Sequence, residues 1–106
     1  MQIKVKQYYV KNQFIIEDEN KIIFQSYEST IAIYNRKTHS LTLGKNWDYS
    51  TTTSKYLYMF ITDYTYIKDK EENCFIDYKL NNVANKRAYI QKLIDREVIN
   101  YSEGLY

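Results

Sequence analysis

The chain has 106 residues, enough for one domain with a single core of modest size, which on folding removes roughly two-thirds of the unfolded surface from water. Its 15 basic and 13 acidic side chains leave a formal charge of +2, too balanced to create the electropositive field of a dedicated non-specific nucleic-acid binder. One cysteine, Cys74, excludes an internal disulfide and with one histidine excludes the usual zinc cages, while the absence of a long apolar run or an N-terminal h-region makes the chain read as cytosolic.

The first half reads as strands, because β-branched and aromatic residues recur in short runs separated by polar breaks. Residues 3–10 alternate imperfectly, with Ile3 and Val5 on one face and Lys4 and Lys6 on the other. Residues 13–17 can pair back on them, and after the acidic break at 17–20 residues 21–28 form a third strand whose Ile22 and Phe24 oppose Ile23 and Gln25. Residues 30–35 place Ile31 and Ile33 on one face, and across a loop opened by Asn35 the strand 40–43 sets Leu41 and Leu43 on that same face. Gly44, one of 2 glycines, then lets the backbone leave the sheet.

Helical periodicity begins after Tyr49, where Tyr56, Leu57, Phe60, Ile61 and Tyr64 form one apolar stripe behind a cap at Ser50, Thr51 or Thr52. Residues 68–73 contain no apolar side chain and read as a solvated loop. Residues 74–80 read as a short strand, and residues 83–97 as a second helix with Tyr89, Ile90, Leu93, Ile94 and Val98 on its inner face. Its start falls at Asn81, Asn82 or Asn85, its charged residues form an exposed face, and residues 101–106 show no pattern. Strands followed by helices make one α+β domain, 1–106, with a small antiparallel sheet of four to five strands packed with two helices.

Thirteen tyrosines invite a base-stacking reading, but 13 Ile, 12 Lys and 9 Asn beside 3 Ala, 2 Gly and no Pro are the bias an A+T-rich genome imposes through its codons. No pattern of nucleophile, base and orienting group converges on His39, and Ser50 lacks a G-x-S-x-G elbow, so no catalytic residue is expected. The three threonines at 51–53 follow no glycine-rich loop and cap a helix better than they bind phosphate. No metal or cofactor set is expected either.

Two surfaces carry binding potential. Tyr27, Trp47, Asp48, Tyr49, Lys55 and Tyr56 form a polar-aromatic group where the sheet hands over to the first helix, the kind of side chains that anchor one protein on another. If their rings face outward they make a protein-binding edge; if inward they plug the core. The alternative surface is basic: Lys4, Lys6, Arg36, Lys37 and Lys45 could meet RNA or DNA phosphates, with Tyr34 stacking on a base.

The strand Phe24-Gln25-Ser26-Tyr27 and the run Trp47-Asp48-Tyr49-Ser50-Thr51-Thr52-Thr53-Ser54-Lys55-Tyr56 resemble a group of small proteins encoded by bacteriophages and integrated mobile elements. The match covers about a third of the chain and carries no catalytic assignment. The resemblance implies phage origin and a life in the host cytoplasm. With the small size and the lack of catalytic residues, that setting leads to the expectation of a non-enzymatic inhibitor of a host defence system, anti-CRISPR-like, that binds a host protein or nucleoprotein complex; the alternative, from the basic residues, is an RNA- or DNA-binding accessory protein of phage replication or transcription.

Overall fold

The computed structural model of the chain describes residues 2–105, so Met1 and Tyr106, the outer ends of the two terminal segments, lie outside the description. In chain order the strands β1 (Lys4–Gln7), β2 (Gln13–Glu17), β3 (Lys21–Ser26), β4 (Ser29–Asn35) and β5 (Ser40–Gly44) lead into the helix α1 (Thr51–Tyr64). After it come β6 (Lys68–Asp69), β7 (Cys74–Phe75), α2 (Ile76–Leu80), α3 (Lys86–Asp95) and β8 (Asn100–Ser102). The architecture is α+β.

β1 to β5 pair antiparallel in sequence order, and β8 returns from the far end of the chain to pair parallel with β5, opposing Thr42 to Asn100 and Leu43 to Tyr101. The sheet therefore has six strands and is mixed, one strand more than expected. β8 is too short and too polar to announce itself in sequence, and its pairing becomes favourable only once α3 has brought it beside β5. Residues 74–80 are also corrected: only Cys74 and Phe75 are extended, pairing with β6, and Ile76 to Leu80 turn helical so that Ile76 and Leu80 both reach the core.

Local chemistry accounts for the turns. Asp18 accepts from the amides of Asn20 and Lys21, and Asn35 from those of Lys37 and Thr38, so each acceptor closes its own turn without glycine or proline. Ser50 caps α1 by accepting from the Thr53 amide at 3.1 Å, and Asn85 caps α3 by accepting from Ala88 at 2.9 Å.

One face of the sheet meets the helices. Ile15, Ile22, Phe24, Leu41 and Leu43 are buried there against Leu57, Phe60 and Ile61 of α1, with Phe24 stacked on Phe60 at 5.7 Å between centroids. A β-bulge decides which β4 side chains join them: Phe24 opposes Ala32 while Gln25 opposes Thr30, leaving Ile31 as the extra residue. The expected alternation breaks at that point. Ile31 and Ala32 are both buried, Tyr34 opposes Leu41, Ala32 opposes Leu43, and Ile33 moves to the other face beside Ile23 and Thr42. Ile33 does not share a face with Leu41 and Leu43, because one inserted residue inverts every side chain after it.

Gly44 also serves differently than expected. Among the described residues no glycine has a positive φ; a Cβ at Gly44 would stand 2.8 Å from the Thr30 carbonyl oxygen and 3.2 Å from the Leu105 Cβ. Close approach of chains, and not turn freedom, requires glycine there.

Candidate protein-binding surface

The junction between β5 and α1 is built from three anchors. Trp47 is buried, and the Arg87 guanidinium from α3 lies over its ring, 5.9 Å from the centroid. The same guanidinium donates to Asp48 Oδ2 from two nitrogens, at 3.0 and 2.7 Å, which clamps the junction to α3. Below them Thr53 Oγ1 lies 3.0 Å from Ser26 Oγ in a buried contact, tying the first turn of α1 to β3. The entrance to the helix is thereby fixed to the sheet at one end and to α3 at the other.

Two of the six residues read as a binding edge turn inward. Trp47 and Tyr56 are buried, at 3 and 8% exposure, so for these two rings the inward alternative holds and the six residues do not form one outward-facing edge. Tyr56 lies on the inner stripe of α1 beside Leu57 and Phe60, and burial of its ring outweighs any gain from solvent contact of its hydroxyl. Tyr49 is 80% exposed, Tyr27 57% exposed, and Lys55 is exposed with its ammonium 5.4 Å from the Tyr56 centroid. Asp48 is half-buried under Arg87.

The two free tyrosines border one hollow. A cleft of about 1010 Å³ is lined by Tyr27, Tyr49, Phe14, Ile31, Asn46 and Thr52, among others. Tyr49 also lines a second hollow of about 800 Å³, shared with Lys55, Tyr58, Met59 and Arg87. Its ring therefore forms the ridge between two concavities on a rigid helix entrance. Tyr27 sits in the β3–β4 turn with φ of 55°, a left-handed conformation in which a bulky side chain is strained. That conformation is held by its amide, which donates to the Asn12 carbonyl at 2.6 Å, and by its carbonyl, which accepts from Gln25 Nε2 at 2.7 Å.

The basic set does not gather into one patch. Lys4 and Arg36 share a hollow with Glu17, Asp18 and Glu19, and Arg36 is ion-paired with Glu17, which cancels much of the local field. Lys6 leans over the Tyr64 ring, while Lys37 and Lys45 are exposed at opposite ends of β5. Tyr34, expected to stack on a base, is buried; its hydroxyl accepts from the Tyr66 amide at 3.1 Å and lies 2.7 Å from His39 Nδ1. Its ring has no free face to offer.

Several paired residues escaped sequence reasoning. Arg87 was part of a generic charged face, with nothing local to mark its link to Asp48, thirty-nine positions away. Asp69, read as part of a solvated loop, is 1% exposed, and Arg96 from the end of α3 donates to both its oxygens at 2.9 and 2.8 Å. The Arg96 guanidinium, helped by the amides of Glu72 and Glu71, holds the Asp69 carboxyl below the usual carboxylate range. Tyr8 donates to Asp63 at 2.6 Å, and burial together with that carboxylate pushes its phenol well above the ordinary tyrosine value. Burial likewise pushes Tyr89 up to about 12.

Among the described residues no group of three or more His, Cys, Asp or Glu stands ready to hold a metal ion, and no helix is long and apolar enough to cross a membrane. No curated protein and no solved structure matches the chain. A family model matches residues 2–77, which takes in β1 to β7, Tyr27, Tyr49 and Lys55 and stops before Arg87 and Arg96. The chain belongs to that family, DUF8033, described as a family of unknown function.

Proposed function

We propose that the protein is a non-enzymatic binding domain, a phage-encoded inhibitor of a host defence system that works in the host cytoplasm by occupying a surface of a host protein or nucleoprotein complex. The phage setting comes from the resemblance of the 24–27 and 47–56 segments to small phage proteins, and the defence role is inferred from that setting, the small size and the lack of catalytic residues. The binding mode comes from one observation. An exposed tyrosine, Tyr27, is held in a strained left-handed turn where glycine or asparagine would fit at lower cost, and it lines a cleft together with the exposed Tyr49. The two-residue turn between Ser26 and Ser29 calls for a positive φ, and a bulky ring kept there at a cost supports a contact role. Tyrosine anchors of this kind supply large amphipathic area with few rotatable bonds.

The test pairs capture with activity. The tagged protein is expressed in a defence-proficient host, challenged with phage, and recovered with its partners, beside a Tyr27→Ala/Tyr49→Ala variant. The proposal expects restored infection and capture of a defence complex by the parent and loss of both by the variant. Normal defence with no complex recovered overturns it. Capture of nucleic acid alone, weakening steeply as salt rises, would transfer the assignment to the accessory-protein reading.

A further inference from the structure

We infer that the free edge of β1 is a second docking surface, built to accept an extended acidic–apolar segment of another protein as an added strand. The inference involves neither Tyr27 nor Tyr49 and does not rest on the reading above. β1 pairs only with β2, and all four of its residues are exposed. The register opposes Lys4 to Glu17, Lys6 to Ile15 and, one step on, Tyr8 to Gln13, whose carbonyl accepts from the Tyr8 amide at 2.7 Å. Bonded positions alternate along an antiparallel pair, so Lys4 and Lys6 bond inward to β2 while the amides and carbonyls of Val5 and Gln7 point away from the sheet. Those groups are a template for another strand.

Side chains specify which strand. Lys4 and Lys6 project on the helix side of the edge, and among the described residues neither joins an ion pair: Glu17, which opposes Lys4 in the register, is taken by Arg36, and Lys6 stands over the Tyr64 ring. Val5 projects on the opposite side, with Ile3 before it by alternation, and these are 63 and 67% exposed. A strand laid on this edge meets lysines at one set of alternate positions and apolar side chains at the other. Acidic residues alternating with Val or Ile complement both. A second copy of the chain does not, because β1 against β1 would oppose lysine to lysine, and like charges across a pair are destabilising. Edge lysines therefore block self-pairing and leave the edge open to an acidic partner.

The probe is a labelled peptide alternating valine and glutamate, titrated into the full chain beside a scrambled peptide of equal composition. Expected are binding of the alternating peptide only, slowed hydrogen exchange at the Val5 and Gln7 amides, and a loss of roughly tenfold on Lys4→Glu/Lys6→Glu. Val5→Pro, which deletes an outward donor that β2 does not use, should abolish binding and leave the melting temperature close to the parent's. Equal binding of the scrambled peptide, absence of binding by either, unprotected Val5 and Gln7 amides, or a dimer of the chain paired through β1 would each overturn the inference.

Discussion

Tyr27 and Trp47 show how the same residue class takes opposite roles according to backbone position. Tyr27 occupies a left-handed turn and is solvent-facing, whereas Trp47 is buried in the core with the Arg87 guanidinium over its ring. Tyr27→Gly should raise stability by about 1 kcal/mol, by removing the Cβ penalty of that conformation, and should weaken partner capture. Thermal melts and pull-downs on one sample separate the two effects; a Tyr27→Gly protein that melts lower than the parent would remove the strain argument. Trp47→Ala should cost about 3–5 kcal/mol, while Tyr49→Ala, at 80% exposure, should stay within about 0.5 kcal/mol of the parent. Chemical denaturation measures both. The aromatic character of this segment was legible in sequence, but the direction each ring faces was not. Trp47 is inward because its ring joins the buried core formed by residues from both ends of the chain, and no window around residue 47 contains that information.

At the level of elements, the helices were the more readable. The stripe Tyr56, Leu57, Phe60, Ile61 anticipates the buried face of α1, and the Ser50 cap falls at one of the positions expected. The β4 strand departs from simple alternation because alternation is a local rule and a bulge is invisible to it: Ile31 and Ala32 follow each other into the core. Gly44→Ala should cost about 1–3 kcal/mol through the clash with the Thr30 carbonyl, measurable as a lowered denaturation midpoint. The loop 68–73 hides its most consequential residue, Asp69. Its carboxyl titrates lower in the folded chain than in the unfolded one, so its contribution is complete above the unfolded value near pH 4 and fades as pH falls through the depressed folded value. Acid unfolding followed by circular dichroism should therefore show a loss of stability below about pH 4, and Arg96→Met should lower stability at neutral pH while flattening that acid limb. An unchanged acid limb would place the pH dependence elsewhere.

For the whole molecule, the order of strands dictates where it is firm. β3 and β4 are paired on both sides and packed under α1, while β1 is paired on one side and exposed. Hydrogen exchange should be slowest at Ile22, Phe24 and Ala32 and fastest at the outward Val5 and Gln7 amides of β1; comparable protection of those two amides in the free protein would mean that the edge is already occupied. Composition and periodicity were enough to establish an α+β chain with a meander of strands, its capped first helix and the inner stripe of that helix, because those features depend on neighbours a few residues apart. The parallel β8, the bulge, the Asp48–Arg87 and Asp69–Arg96 pairs and the split between buried and free tyrosines came only with the folded chain, since each depends on groups far apart in sequence that meet when the helices close over the sheet.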